Sequence, residues 1–191
     1  MRVFVAAELP AAVRDNLAAA QRVLRALSLD VRWVRPEGIH LTLVFLGEVL
    51  AARLQGIAAA LGALRTATAA PIRLEARGLG CFPERGRPRV IWAGLAGELG
   101  ALGRLQASVL AAVRETGATI EERDWHPHLT LGRIQGGRGD AARVAIARQA
   151  ATSFGAFEVR AVHLFESELL PGGARYRSLH AFPLSTAADA S

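Results

Sequence analysis

The tetrapeptide His40-Leu41-Thr42-Leu43 returns as His128-Leu129-Thr130-Leu131, 88 positions later. Each copy lies in an apolar, β-branched run, Ile39 to Leu46 and His128 to Ile134, and such runs read as strands. Successive strand side chains alternate between faces, so His40 projects with Thr42 and His128 with Thr130. Leu41, Leu43, Leu129 and Leu131 project the other way, toward a core. Each copy therefore offers an imidazole and a hydroxyl side by side, backed by leucines. A fold for this chain has to place two such strands.

The order of elements around the two copies repeats as well. Arg2 to Leu9 predicts a strand, and Pro10 suits the first turn of a following helix. That helix carries Val13, Leu17, Ala20, Leu24 and Leu27 on one face. A short strand (Val31 to Val34) and a turn (Arg35-Pro36-Glu37-Gly38) lead into the first motif. Leu50, Leu54, Ile57, Leu61 and Leu64 predict the next helix, and Ile72 to Phe82 a strand. Arg89-Val90-Ile91-Trp92 then resembles Arg2-Val3-Phe4-Val5, and a helix follows with Leu99, Leu102, Leu105, Val109 and Val113 inward. After the second motif come a glycine-rich loop (Gln135 to Gly139) and a short helix N-capped by Asp140. Strands over Phe157 to Glu166 and Arg175 to Leu184 flank a Pro171-Gly172-Gly173 turn, and a loose tail follows Ser185. The expected fold class is α+β, with two pseudo-symmetric lobes in one domain spanning 1–191. Each lobe, approximately 1–88 and 89–184, is a mainly antiparallel sheet with helices on its outer face, and the active-site cleft lies between them.

Composition narrows the chemistry. All 23 basic residues are Arg, against 17 acidic ones, giving a net charge of +6 that favours anionic partners such as nucleic acid. Without Lys there is no lysyl-nucleotide intermediate, Walker lysine or Schiff base. Cys81 stands alone, so no intrachain disulfide or multi-thiolate zinc cluster forms, and a reducing, cytoplasmic compartment fits. Met1 to Pro10 does not read as a signal peptide, and no apolar stretch approaches the length of a membrane span.

In displacement at phosphorus, the attacking and leaving oxygens lie roughly in line. A base is needed on one side and an acid on the other, and imidazole serves as either near neutrality. Two imidazoles about a pseudo-two-fold axis supply both, and Thr42 and Thr130 can hydrogen-bond the non-bridging oxygens. No metal or other cofactor is required. His126, His128 and Asp124 could suggest a metal group, but no constellation of further ligands completes it. His163 and His180 read as packing residues, and Cys81 as a buried thiol.

A His-x-Thr-x tetrad placed once in each half resembles the defining pattern of the two-histidine phosphoesterase superfamily. Further stretches are similar to its RNA 2′,3′-cyclic phosphodiesterase branch, also called bacterial and archaeal 2′-5′ RNA ligase. They are Trp33 through Phe45-Leu46-Gly47-Glu48, Arg87 to Trp92, Pro127 to Arg133, Leu164 to Leu169, and Gly172-Gly173-Ala174-Arg175-Tyr176. The resemblance implies an enzyme that opens an RNA 2′,3′-cyclic phosphate with water to leave a 2′-phosphomonoester. It implies His40 as proton donor to the 3′ oxygen and His128 as proton acceptor from water, although pseudo-symmetry alone does not separate the two roles. Run in reverse with an RNA 5′-hydroxyl, the same site would make a 2′-5′ linkage without ATP. The expected partners are RNA with cyclic phosphate ends, tRNA fragments among the candidates, and nucleotides; the expected state is a monomer. A non-catalytic RNA-end-binding module is the competing reading.

Three further residues are substrate-binding candidates. Arg133 is either a phosphate contact or a solvated strand-end residue. Phe45, by strict alternation from Thr42, falls on the leucine face and reads as core, with base stacking as its other role. Tyr176 could stack on a nucleotide or pack an edge strand. Arg85, Arg87 and Arg89 form a basic loop suited to RNA phosphates or simply to solvent.

Overall fold

The computed structural model describes residues 1–27, 29–64, 71–120, 124–136, 139–170 and 173–184. The first motif strand, β3 (His40–Glu48), follows β1 (Arg2–Glu8), α1 (Ala11–Arg25) and β2 (Val31–Trp33). It is succeeded by α2 (Leu54–Ala63) and β4 (Ile72–Phe82). The second motif strand, β6 (Leu129–Ile134), follows β5 (Val90–Gly97) and α3 (Leu99–Glu115). It leads to α4 (Gly139–Ala147), β7 (Ser153–Val159), β8 (Ala161–Leu170) and β9 (Gly173–Pro183). The fold class is the α+β arrangement expected. The strand expected over Phe157 to Glu166 is instead the end of β7 and most of β8, separated at Arg160. Asp140's side chain, residues 121–123 and 137–138, the Pro171-Gly172 turn and the tail after Leu184 lie outside the described residues.

The strands form one nine-stranded sheet in the order β7-β4-β5-β6-β3-β1-β8-β9, with β2 also paired to β6. Every neighbouring pair is antiparallel. The order reads the same from either end when β5 is matched with β1, β6 with β3, β4 with β8 and β7 with β9. β4 of the first chain half pairs with β5 and β7, while β8 of the second pairs with β1. Each half thus lends a long strand to the other, and the two strand groups do not coincide with residues 1–88 and 89–184. Local hydrophobic pattern sets which face of a strand is buried, not which distant strand it joins.

The helical spacing holds in the middle of each helix and fails at the ends. Val13, Leu17, Ala20 and Leu24 of α1 are buried, as are Ile57 and Leu61 of α2 and Leu102, Leu105, Val109 and Val113 of α3. Leu27, Leu50 and Leu99 are exposed. α1 stops at Arg25, α2 starts at Leu54 after a 3-10 turn, and Leu99 is the first residue of α3. These helices and the four motif leucines belong to a single buried apolar cluster. Fully burying one leucine stabilises by roughly 1.5–3 kcal/mol, so the leucine face anchors both motif strands. Phe4, Ala6 and Phe165, with Tyr176 against them, form a separate small cluster. Among the described residues no helix is long and apolar enough to cross a membrane.

Candidate active site

The motif strands touch at one register pair, Leu41 opposite Leu129. Continued by one residue in each direction, an antiparallel register sets Thr42 opposite His128 and His40 opposite Thr130. Directly opposed residues in such a pair have Cβ atoms roughly 4.5–5.5 Å apart. The two His-Thr pairs are therefore crossed in register, each histidine position lying across from the threonine position of the other copy. The charge of His128 also contributes to lowering the pKa of His40.

Both imidazoles are held by the same device. Nδ1 of His40 lies 2.8 Å from the Gly38 carbonyl, and Nδ1 of His128 lies 2.7 Å from the His126 carbonyl, in each case two residues back. A carbonyl only accepts, so Nδ1 carries the proton and donates it. Nε2 of each neutral ring is then a lone-pair nitrogen available to substrate. Gly38 also has a steric reason to be glycine: a Cβ there would stand 3.2 Å from the Tyr176 ring.

The surroundings of the two rings differ. His40 stacks on Phe4 at 4.7 Å between centroids and meets the edge of Tyr176 at 4.9 Å, with Phe165 beyond. Its pKa is lowered to about 4, chiefly by burial among these rings, with the Gly38 hydrogen bond opposing and the charge of His128 adding to the fall. His128 has Phe82 edge-on at 5.2 Å. Its pKa is also lowered, first by burial, with the bond to His126 opposing and the charges of Arg133 and His126 adding. The Tyr176 phenol is raised by burial while Arg133 and Arg2 pull it down, so both guanidiniums act at this end of the site.

A β-bulge in each motif strand corrects the reading of Phe45. On β3, Val44 pairs with Val5 but Thr42 pairs with Ala6, leaving Leu43 without a partner on β1. On β6, Gly132 pairs with Ile91 but Thr130 pairs with Trp92, leaving Leu131 without a partner on β5. One extra residue reverses the alternation beyond it. Phe45 accordingly emerges on the face of Thr42, 42% exposed, rather than entering the core. Arg133 emerges beside Thr130 by the same displacement.

Thr42, Phe45, His128, Thr130 and Arg133 line a cavity of about 780 Å³, together with Arg2, Phe82, Gln106 and Trp125 among others. His40 and Tyr176 are not among its lining residues. Arg2, Phe4, Phe82, Gln106 and Trp125 were not site candidates on sequence. Arg2 and Phe4 share an alternating face of β1, a signal too common to single them out. Trp125 donates from its indole nitrogen to the Thr42 carbonyl at 3.0 Å, across 83 residues of chain.

The remaining candidates separate from the two histidines, apart from His126 and Asp124. Arg87 and Arg89, but not Arg85, line a second groove of about 410 Å³ that shares Val90 and Arg133 with the cavity. His163 lies 3.3 Å from the Ser178 hydroxyl, His180 is near Phe182, and Cys81 is buried with the Arg143 guanidinium donating to its sulfur. His126 and Asp124 line the cavity, but among the described residues no three His, Cys, Asp or Glu side chains group as metal ligands.

The profile of the LigT like phosphoesterase family matches residues 8–92 and 96–176. The RNA 2′,3′-cyclic phosphodiesterase of Archaeoglobus fulgidus is 35% identical over 182 residues, covering 95% of this chain and 99% of the relative. The enzyme of the same name from Aeropyrum pernix is 36% identical over 154 residues, covering 80% and 85%. The crystal structure of TT0787 of Thermus thermophilus superposes with a TM-score of 0.82 at 34% identity, covering 98% of this chain and all of that one. E. coli LigT complexed with 3′-AMP shares the fold, with a TM-score of 0.73 at 24% identity and 96% of each chain covered.

Proposed function

The chain belongs to the LigT-like phosphoesterase family, and from that premise we propose that it opens RNA 2′,3′-cyclic phosphate ends to 2′-phosphomonoesters. The observation that carries the reading is the crossed register about Leu41 and Leu129. That register supports a shared site for both His-Thr pairs, and each imidazole has Nδ1 committed to a backbone carbonyl.

In the proposed reaction, water attacks phosphorus and loses its proton to Nε2 of His128. The bond from phosphorus to the 3′ oxygen breaks, and His40 delivers a proton to that oxygen. Thr42 and Thr130 donate hydrogen bonds to the non-bridging oxygens, and Arg133 offsets their charge. Proton transfers of this kind contribute roughly 10²–10⁴-fold each. Burial keeps His40 neutral in the free protein; a bound phosphate, being anionic, raises its proton affinity and readies it as an acid. A second reading is favoured by that same burial: a neutral His40 is a ready base, and His128 would then be the donor.

Phe45 and Tyr176 offer rings for a base to stack on. The cavity on the His128 side is far larger than a water molecule needs, which supports entry of an RNA 5′-hydroxyl and hence ATP-independent 2′-5′ ligation. The adjoining groove of Arg87, Arg89 and Arg133 suits the phosphates of the RNA body. The test is incubation, in EDTA, with an oligonucleotide ending in a 2′,3′-cyclic phosphate. A 2′-phosphate product is expected; an unchanged end or a 3′-phosphate would overturn the reading.

A further inference from the structure

Gln21 is the one buried polar side chain among the described residues of the core, 2% exposed on α1. Its amide nitrogen donates to the Leu131 carbonyl at 2.9 Å and to the Val34 carbonyl at 2.8 Å. Gln106, on α3, donates to the Leu43 carbonyl at 3.4 Å. Leu43 and Leu131 are the residues left over by the bulges that follow the motif threonines; a further irregularity on β3 leaves Leu46 over. Each glutamine also belongs to the chain half opposite the motif whose bulge it reaches.

A bulged residue loses its place in the ladder, and a buried carbonyl without a donor destabilises the conformation that exposes it. Gln106 supplies such a donor to the Leu43 carbonyl, whereas the Leu131 carbonyl accepts from the Val34 N–H at 2.9 Å and from Gln21, whose amide also holds the Val34 carbonyl and so ties β6 at its bulge to the chain beyond β2. What the two glutamines hold is the reversal of alternation that turns Arg133 and Phe45 toward the reacting groups. We infer that Gln21 and Gln106 are positioning residues, Gln21 setting Arg133 and Gln106 setting Phe45, each by bracing the bulge in the other half's motif strand. The inference rests on the proposed function only in taking Arg133 and Phe45 as substrate contacts.

The test is a pair of double-mutant cycles on kcat and KM for a cyclic-phosphate oligonucleotide, using the near-isosteric Gln21→Met and Gln106→Met. Each is expected to lower kcat/KM about tenfold, mainly through KM, within the hundredfold that a misplacement of about 1 Å can produce. Gln21→Met is expected to add nothing to Arg133→Ala yet to combine additively with Phe45→Ala. Gln106→Met is expected to show the reverse pattern. A glutamine that only stabilises the fold would lower Tm and leave both cycles additive, and that outcome overturns the inference. If Gln21→Met does not fold, the less buried Gln106 decides the question through Phe45. If the wild-type chain does not open the cyclic end, the functional reading fails by itself. The Gln21–Arg133 cycle is then read on binding of inorganic phosphate by calorimetry, where additivity again overturns it.

Discussion

His40 and His128 sit in identical tetrapeptides, on antiparallel strands, with the same backbone hydrogen bond two residues back. Their neighbours are what differ. Phe4, opposite Phe45, corresponds to Val90, opposite Arg133, and Phe165 corresponds to Phe82. One imidazole is therefore enclosed by Phe4, Phe165 and Tyr176, and the other by Phe82 with Arg133 close at hand. Duplication supplies two matching groups, but in the proposed reaction an acid and a base must differ. In this chain the difference comes from residues outside the repeated motif.

The largest effect tests the two rings directly. His40→Ala and His128→Ala are each expected to lower kcat on a cyclic-phosphate end by about 10²–10⁴-fold. Placing sulfur at the 3′ bridging position removes the leaving group's need for a proton. His40→Ala is expected to recover most activity on that substrate and His128→Ala none; the opposite recovery would exchange the roles. Next come the two residues displaced by the bulges. Arg133→Ala is expected to lower kcat/KM by about 10–100-fold, the loss of the charge-assisted hydrogen bond to phosphate proposed for it. Phe45→Ala is expected to raise KM by about tenfold, in line with the roughly 1–3 kcal/mol of a stacked base.

The third effect separates the rings by stability. The folded pKa of His40 is lowered from 6.5 to about 4, so between those values the unfolded chain takes the proton first. Its contribution is fully present above pH 6.5 and is lost as pH falls toward 4, amounting to about 3 kcal/mol at most. The unfolding midpoint of His40→Gln is expected to depend less on pH in that window, and that of His128→Gln to resemble wild type more closely. An equal change in both would remove the asymmetry. The smallest effect lies in the groove. Arg87→Ala with Arg89→Ala is expected to make RNA binding less salt-dependent, the log–log slope falling by about 0.7 for each phosphate no longer neutralised. Measurement with a dinucleotide too short to reach the groove serves as the control.

The sequence by itself determined the α+β class, the middle of each long helix, the two motif strands and their shared need for a partner. These follow from local periodicity and from the identity of the repeated residues. Tertiary structure decided the rest. Alternation counted along β3 put Phe45 in the core, because a bulge announces itself only through the register of the strand beside it. The exchange of β4 and β8 between chain halves, and the reach of Gln21 to Leu131, depend on pairings between residues far apart in the chain. The electrostatic difference between His40 and His128 is of the same kind. Desolvation is set by whichever rings arrive from β1, β4, β8 and β9, and nothing in either tetrapeptide records them.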